Sequence, residues 1–219
     1  MQLYIGNKNY SSWSLRAWLM AAKSGVDFEE VMLKLDTPSF YQQLSGISPT
    51  LRVPTLIDGD VTVWDSLAIC EYLNDTYLAG EAWPSQPKQK AKARSIANEM
   101  HSGFNALRNE LPMNIRATRC LQLSDAAKKD IKRIDEIWSQ QMHEYDTADT
   151  GGWLFGTWSI ADMMFAPVVM RFRTYGIIVS DASRRYMAHV AECPTMQRWI
   201  ADALKETDIV DADEAGVEL

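Results

Sequence analysis

The sequence predicts an α/β unit of order β-α-β-α-β-β-α over about 80 residues, followed by an all-α region. Three observations predict it. Short runs with strand-like alternation recur before residue 65, and two apolar helical stretches separate or close them. Ala82-Trp83-Pro84-Ser85-Gln86-Pro87 then interrupts both kinds of pattern with two prolines. Beyond it the periodicity is helical throughout. The expected division is 1–80, a linker at 81–87, and 88–219.

In chain order, Gln2–Ile5 reads as a strand. Dense apolar residues from Trp13 to Ala21, stopped by Gly25, make Ser12–Lys23 a helix. Val31, Leu33 and Leu35 alternate with Met32, Lys34 and Asp36 as a second strand. Phe40–Leu44 reads as a helical turn. Thr55–Ile57 and Val61–Trp64 are strands joined at Asp58-Gly59, a hairpin signal. Ser66–Tyr77 closes the unit as a helix with Leu67, Ile69 and Leu73 on one face. The later helices are Lys88–Leu111 before Pro112, Ser124–Asp146, Ser159–Tyr175, Asp181–Ala191 and Thr195–Glu206. In the second of them Ile131, Ile134, Trp138, Met142 and Tyr145 keep helical spacing.

Composition bounds the function. A 219-residue chain with 47% hydrophobic and 23% charged residues suits a globular protein with a sizeable core. The longest apolar run, Met163–Met170, is far short of the ~20 residues that span a bilayer, and no secretory leader is visible. A cytoplasmic protein with no membrane partner is the expectation. The net charge is −7 and no basic stripe exists, which argues against nucleic-acid binding. Residues 1–87 hold five Lys/Arg against ten Asp/Glu. Cys70, Cys120 and Cys193 are scattered, so neither a disulfide framework nor a metal site is expected. Cys70 reads as core.

Three short stretches carry chemistry. In Tyr10-Ser11-Ser12-Trp13-Ser14, Ser11 and Ser14 have the spacing of the cysteines in a thiol–disulfide oxidoreductase, but serine cannot exchange disulfides. A hydroxyl at a helix N-terminus can donate a hydrogen bond to a ligand's thiolate; the same serines also read as helix caps. In Val53-Pro54-Thr55-Leu56, a cis peptide would leave the Val53 backbone free to pair with an extended peptide. A trans proline at a strand start would carry no such meaning. Asp65-Ser66 opens a helix. Either residue could be an ordinary N-cap, or Ser66 and the helix N-terminus bind a carboxylate while Asp65 accepts the neighbouring ammonium. His101, His143 and His189 have no nucleophile motif nearby and read as surface or capping residues. Met163, Met164 and Met170, around Pro167, fit either a core helix or an acceptor pocket.

These stretches resemble the glutathione S-transferases over nearly the whole chain. VPTL and DSLAI match the family's glutathione-site motifs. NYSSWSLR resembles the serine-dependent classes, nearest the zeta type, and Ser159-Ile160-Ala161-Asp162 resembles the capping box of the helical domain. Two positions depart from the pattern. Asp65 stands where the family often has Glu, and Trp13 where zeta-type members usually carry cysteine, which argues against the zeta-specific isomerisation. The resemblance implies an N-terminal thioredoxin-like domain that binds glutathione, an all-helical acceptor-site domain, and a homodimer. It makes Ser11 the catalytic hydroxyl with Ser12 the alternative, and pairs Val53 with the cysteinyl backbone beside Pro54. Asp65 and Ser66 would hold the γ-glutamyl end, with Arg52 at the glycine carboxylate, Arg16 near the sulfur and Tyr10 in the acceptor pocket. The expected reaction is attack of the glutathione thiolate on a small electrophilic, apolar acceptor. Glutathione-dependent isomerisation or reduction, and a non-catalytic binding module, are the alternatives. Glutathione is then a co-substrate, and no metal is needed.

Overall fold

The computed structural model describes residues 1–145 and 151–218. Its first part has the expected order: β1 (Gln2–Gly6), α1 (Ser12–Ser24), β2 (Glu29–Leu33), α2 (Pro38–Leu44), β3 (Thr55–Asp58), β4 (Val61–Trp64) and α3 (Ser66–Tyr77). The sheet order is β2-β1-β3-β4, with β2 parallel to β1 and the other pairs antiparallel. The second strand begins and ends two residues earlier than its alternation suggests. It pairs Gln2 with Glu29 through to Gly6 with Leu33 and stops where β1 stops. The Leu35 N–H then turns to the Asn7 side chain at 2.9 Å. Thr37 caps α2 through the Phe40 N–H, and Gly59 supplies the positive φ of the β3–β4 hairpin.

The later helices are α4 (Pro87–Ser102), α5 (Asn105–Glu110), α6 (Asp125–Tyr145), α7 (Ile160–Thr174), α8 (Asp181–Glu192) and α9 (Pro194–Ala203). The single helix expected over Lys88–Leu111 is broken. Gly103 is extended, Phe104 is left-handed at φ 58°, and a Cβ on Gly103 would lie 2.8 Å from the Glu99 carbonyl. A two-residue ladder was not legible either: β5 (Arg119–Cys120) pairs antiparallel with β6 (Val217–Glu218). Two residues carry no periodicity, and the partner lies almost 100 positions away. Asp146, the last residue of the helix expected from Ser124, lies outside the described residues. Among the described residues no helix is long and apolar enough to cross a membrane.

One hydrophobic cluster runs through both parts of the chain. It joins Leu3, Leu15, Trp18 and Met20 of the first part to Trp138, Phe165, Val169 and Trp199 of the second. The stretch between α3 and α4 is packed rather than loose: Ala82 and Trp83 are buried, and the Ile160 N–H donates to the Ala82 carbonyl at 3.0 Å. The chain after α9 returns to the first part. The Glu206 carboxylate accepts the Lys8 and Asn9 N–H groups at 2.7 and 3.0 Å, and Glu214 accepts the Tyr10 hydroxyl at 2.5 Å. This return fixes the turn that leads into α1.

Helix α7 is buried over most of its length and starts at a reciprocal polar knot. The Asp162 carboxylate accepts the Ser159 N–H at 2.8 Å, the Ser159 hydroxyl at 2.9 Å and the Leu154 N–H at 3.1 Å. Burial pushes this carboxyl up to about 6, against the pull of the Leu154 and Ser159 bonds. A raised folded pKa means that ionisation opposes folding increasingly as pH rises from about 4 through 6. Asp162→Ala orphans two buried N–H groups and should cost about 2–4 kcal/mol at pH 5. The deficit should shrink towards pH 7, because only the wild type bears the ionisation cost. Denaturant unfolding at both pH values checks this; equal stabilities at pH 5 would contradict it.

Candidate functional site

The serine turn lies where β1 hands the chain to α1. The Tyr10 and Ser11 N–H groups both donate to the Asn7 carbonyl, at 3.1 and 2.8 Å, so the turn is tight before the helix begins. Gly6 is needed there because a Cβ would approach the Ser11 Cβ to 3.1 Å and the Leu35 side chain more closely still. Ser11 occupies the N-cap position but makes no capping bond with its side chain. Its hydroxyl donates inward to Ser14 Oγ at 2.7 Å, and that oxygen also accepts the Gly6 N–H at 3.1 Å. Ser12 Oγ instead accepts from Nη2 of Arg171, on α7, at 3.1 Å.

The Val53–Pro54 peptide is cis. Among the described residues neither the N–H nor the C=O of Val53 has a hydrogen-bond partner, while Thr55 Oγ1 and Ser48 Oγ both donate to the Arg52 carbonyl. A free donor and acceptor on one residue at a sheet margin is what an added extended peptide pairs with. At the other end, Asp65 has φ 76°, a conformation that side-chain-bearing residues rarely adopt. Its Oδ1 accepts the Leu67 and Ala68 N–H groups at 2.9 and 3.2 Å, so it does cap α3. Burial raises its carboxyl, but bonds from His101 and the α3 backbone outweigh that and hold it below the usual range. It is therefore a persistent anion. Ser66 is fully buried, and its hydroxyl has no partner among the described residues.

Two cavities meet at Trp13. The smaller, about 390 Å³, is bordered by Trp13, Arg52, Val53, Pro54, Asp65 and Ser66, which unites the residue expected to pair with a peptide and the two expected to bind its charges. The larger, about 730 Å³, is bordered by Tyr10, Ser11, Ser12, Trp13, Arg108 and Arg171, among others. Arg52 and Val53 border both. Arg16 borders neither. It is buried in α1, with Nε on the Met164 carbonyl at 3.1 Å and its guanidinium 4.6 Å from the Trp13 ring centroid. Met163, Met164 and Met170 are core residues outside the larger cavity. Tyr10 lines that cavity, although its hydroxyl is held by Glu214 and Arg116. Cys70 is core, its thiol pushed up by burial. Among the described residues no cluster of His, Cys, Asp and Glu could hold a metal ion.

Three participants were not expected. His101 is not an idle surface residue: its Nε2 lies 3.2 Å from Asp65 Oδ2 and its ring meets Trp13 edge-on at 5.3 Å. Arg108 stacks 4.8 Å from the Trp13 centroid. Arg171 reaches Ser12 from 159 positions away. No local motif marks them, since each is brought in by a helix of the second part. The only sequence signal was an arginine ending the apolar run of α7.

Residues 10–76 match the family model "Glutathione S-transferase, N-terminal domain". Maleylacetoacetate isomerase of Rattus norvegicus is 34% identical over 111 residues, which are 49% of this chain and 50% of that protein. The chain spans about half the length of the first curated relatives it matches. A probable maleylacetoacetate isomerase 1 of Drosophila melanogaster is 27% identical over 92% of this chain and 76% of the other. A glutathione transferase homologue from Burkholderia, solved with bound glutathione, superposes with a TM-score of 0.71 at 25% identity, covering 92% of this chain and 97% of that one. The likeness extends from the thioredoxin-like sheet into the helical part: residues 10–76 form a glutathione S-transferase N-terminal domain, and the whole chain has the fold of the glutathione transferases.

Proposed function

We propose that this protein is a cytoplasmic, homodimeric glutathione transferase. One observation carries the reading: the buried Ser66 hydroxyl, unpartnered among the described residues, opens α3 beside the Asp65 anion, in the same cavity as the Val53 backbone, which is likewise free among those residues. An α-amino acid terminus offers a carboxylate and an ammonium on one carbon. Ser66 and the helix N-terminus suit the first, Asp65 the second. Val53 then pairs with the next residue of an extended peptide, and Arg52, at the mouth of both cavities, meets its far carboxylate. A γ-glutamyl tripeptide spans these points and brings its thiol to the serine turn beside the larger cavity.

The chemistry asked of the turn is modest. A free thiol of pKa ~8.5 is only about 3% ionised at pH 7. Lowering it by two units needs ~2.7 kcal/mol. A hydrogen bond to the charged sulfur supplies roughly 1.5–3 kcal/mol, and the N-terminus of α1 about 0.3–1 more. The thiol proton leaves to solvent. The thiolate electron pair forms the carbon–sulfur bond, and the leaving group departs with its own pair. No metal takes part in this scheme.

The names of the rat and fly relatives favour a second reading, glutathione-dependent isomerisation, in which the thiol is regenerated. Trp13 at the cysteine position of the zeta type weighs against it. Recovery of unconsumed glutathione after turnover would decide for isomerisation, and stoichiometric loss for conjugation.

Titrating glutathione into wild type and Ser66→Ala by calorimetry tests the carrying observation. Losing one charge-assisted hydrogen bond should weaken binding by roughly tenfold or more. An unchanged affinity would remove the γ-glutamyl end from this place. Bound glutathione should also show thiolate absorbance at pH 7 at least several-fold above the free tripeptide; a free-solution titration curve would exclude thiol activation.

A further inference from the structure

The two serines of the turn are not equivalent donors. Ser11 spends its proton on Ser14, whose oxygen is already engaged by the Gly6 N–H. Rotating that proton towards a ligand would break a buried bond. Ser12 is in the opposite state. Its oxygen accepts from the Arg171 guanidinium at 3.1 Å, and its own proton has no acceptor among the described residues. It also borders the larger cavity beside Trp13. A hydroxyl whose lone pair is held by a cation is polarised, and it donates better to an anion.

Arg171 is held in place for this role. It is buried on α7, with Nη1 donating to the Arg108 and Leu111 carbonyls. Those bonds leave it poor as a chelator of a mobile ligand but fix it as a charge. Arg108 is likewise tied to the Met100, His101 and Gly103 carbonyls, and Arg16 to the Met164 carbonyl, with Arg16 Nη1 buried and, among the described residues, unpartnered. None of the three makes an ion pair with a carboxylate among the described residues. Burial and the neighbouring Arg108 push Arg171 down to about 10, against the pull of Asp213 and Tyr175, so it stays a cation at neutral pH. Three mutually repelling guanidinium groups gather around Ser12 and Trp13, and a thiolate placed there relieves that repulsion.

We propose that Ser12, not Ser11, donates the hydrogen bond to the bound glutathione sulfur, and that Arg171 is the positioning residue that holds the Ser12 oxygen so its proton faces the cavity. This rests on the glutathione reading above, and it moves the thiol-activating role across the fold. The hydroxyl comes from the N-terminal part, and the charge that orients it comes from the helical part.

The test is the ionisation midpoint of bound glutathione, followed by thiolate absorbance across pH, in wild type, Ser11→Ala, Ser12→Ala, Arg171→Lys and Ser12→Ala/Arg171→Lys. Binding of S-methylglutathione, which has no thiol proton, is measured alongside. Ser12→Ala should raise the midpoint by about one unit or more, a tenfold loss of thiolate below the midpoint, with S-methylglutathione affinity within about twofold of wild type. Ser11→Ala should move the midpoint much less. Arg171→Lys keeps the charge but not the planar fork, so it should give a smaller shift, and that shift should vanish in the Ser12→Ala background. Ser12→Ala removes one oxygen and tests the proposal even where an Arg171 variant misfolds. An unmoved midpoint in Ser12→Ala, or a larger shift in Ser11→Ala, overturns the inference while leaving glutathione binding intact. Failure of the wild type to bind either tripeptide overturns the glutathione reading itself.

Discussion

The packing of α1 against α7 is the constraint on which the site depends. Ser12 and Ser14–Ala21 are all buried, so α1 has almost no solvent face. It lies between the sheet and the helical part, with Arg16 bonded to the Met164 carbonyl and Ser12 to Arg171. A helix held on every side cannot adjust its N-terminus to a ligand, and this rigidity is what a pre-set hydrogen bond to a sulfur requires. The capping knot at Asp162 matters for the same reason: it fixes where α7 begins, and so where Arg171 ends up one turn from its far end.

Charge is distributed against the overall balance of the chain. The protein carries −7, yet two guanidinium groups stack on Trp13 and a third holds the adjacent Ser12, at the junction of two cavities. Net charge describes how the molecule meets solvent and other macromolecules; a local cluster in a partly desolvated cleft sets the chemistry. The persistent anion Asp65 borders the same smaller cavity as Trp13 and is linked to it through His101, so a ligand there meets both signs of charge. A γ-glutamyl tripeptide with an ionised sulfur carries both signs as well.

Local chemistry was legible in the sequence and long-range convergence was not. The hairpin at Asp58-Gly59, the stop at Gly25 and the box at Ser159–Asp162 each rest on residues within a few positions of one another, and the fold has all three; at Val53-Pro54 the sequence left cis and trans open, and the fold has cis. The strand after α1 was misplaced by two residues because its end is set by its partner β1 rather than by its own alternation. The break at Gly103-Phe104 hides inside a helical pattern, because what makes it is the extended Gly103 backbone, in which any Cβ would meet the Glu99 carbonyl, followed by the left-handed Phe104. Val53, Pro54, Asp65 and Ser66 were found by motif and gather in one cavity. Arg108, Arg171 and His101 could not be found that way, because only the packing of the helical part brings them to Ser12 and Trp13. Arg16 was placed near the sulfur by its spacing from the serines, but spacing alone could not reveal that its side chain turns inward.

The most direct measurement is a crystal structure of the protein soaked with glutathione. The account predicts the cysteinyl N–H and C=O paired with the Val53 backbone, the γ-glutamyl carboxylate on Ser66 Oγ, and the sulfur within hydrogen-bond distance of the serine turn. A tripeptide bound elsewhere, or one running in the opposite direction with its γ-glutamyl end at Arg52, would contradict it.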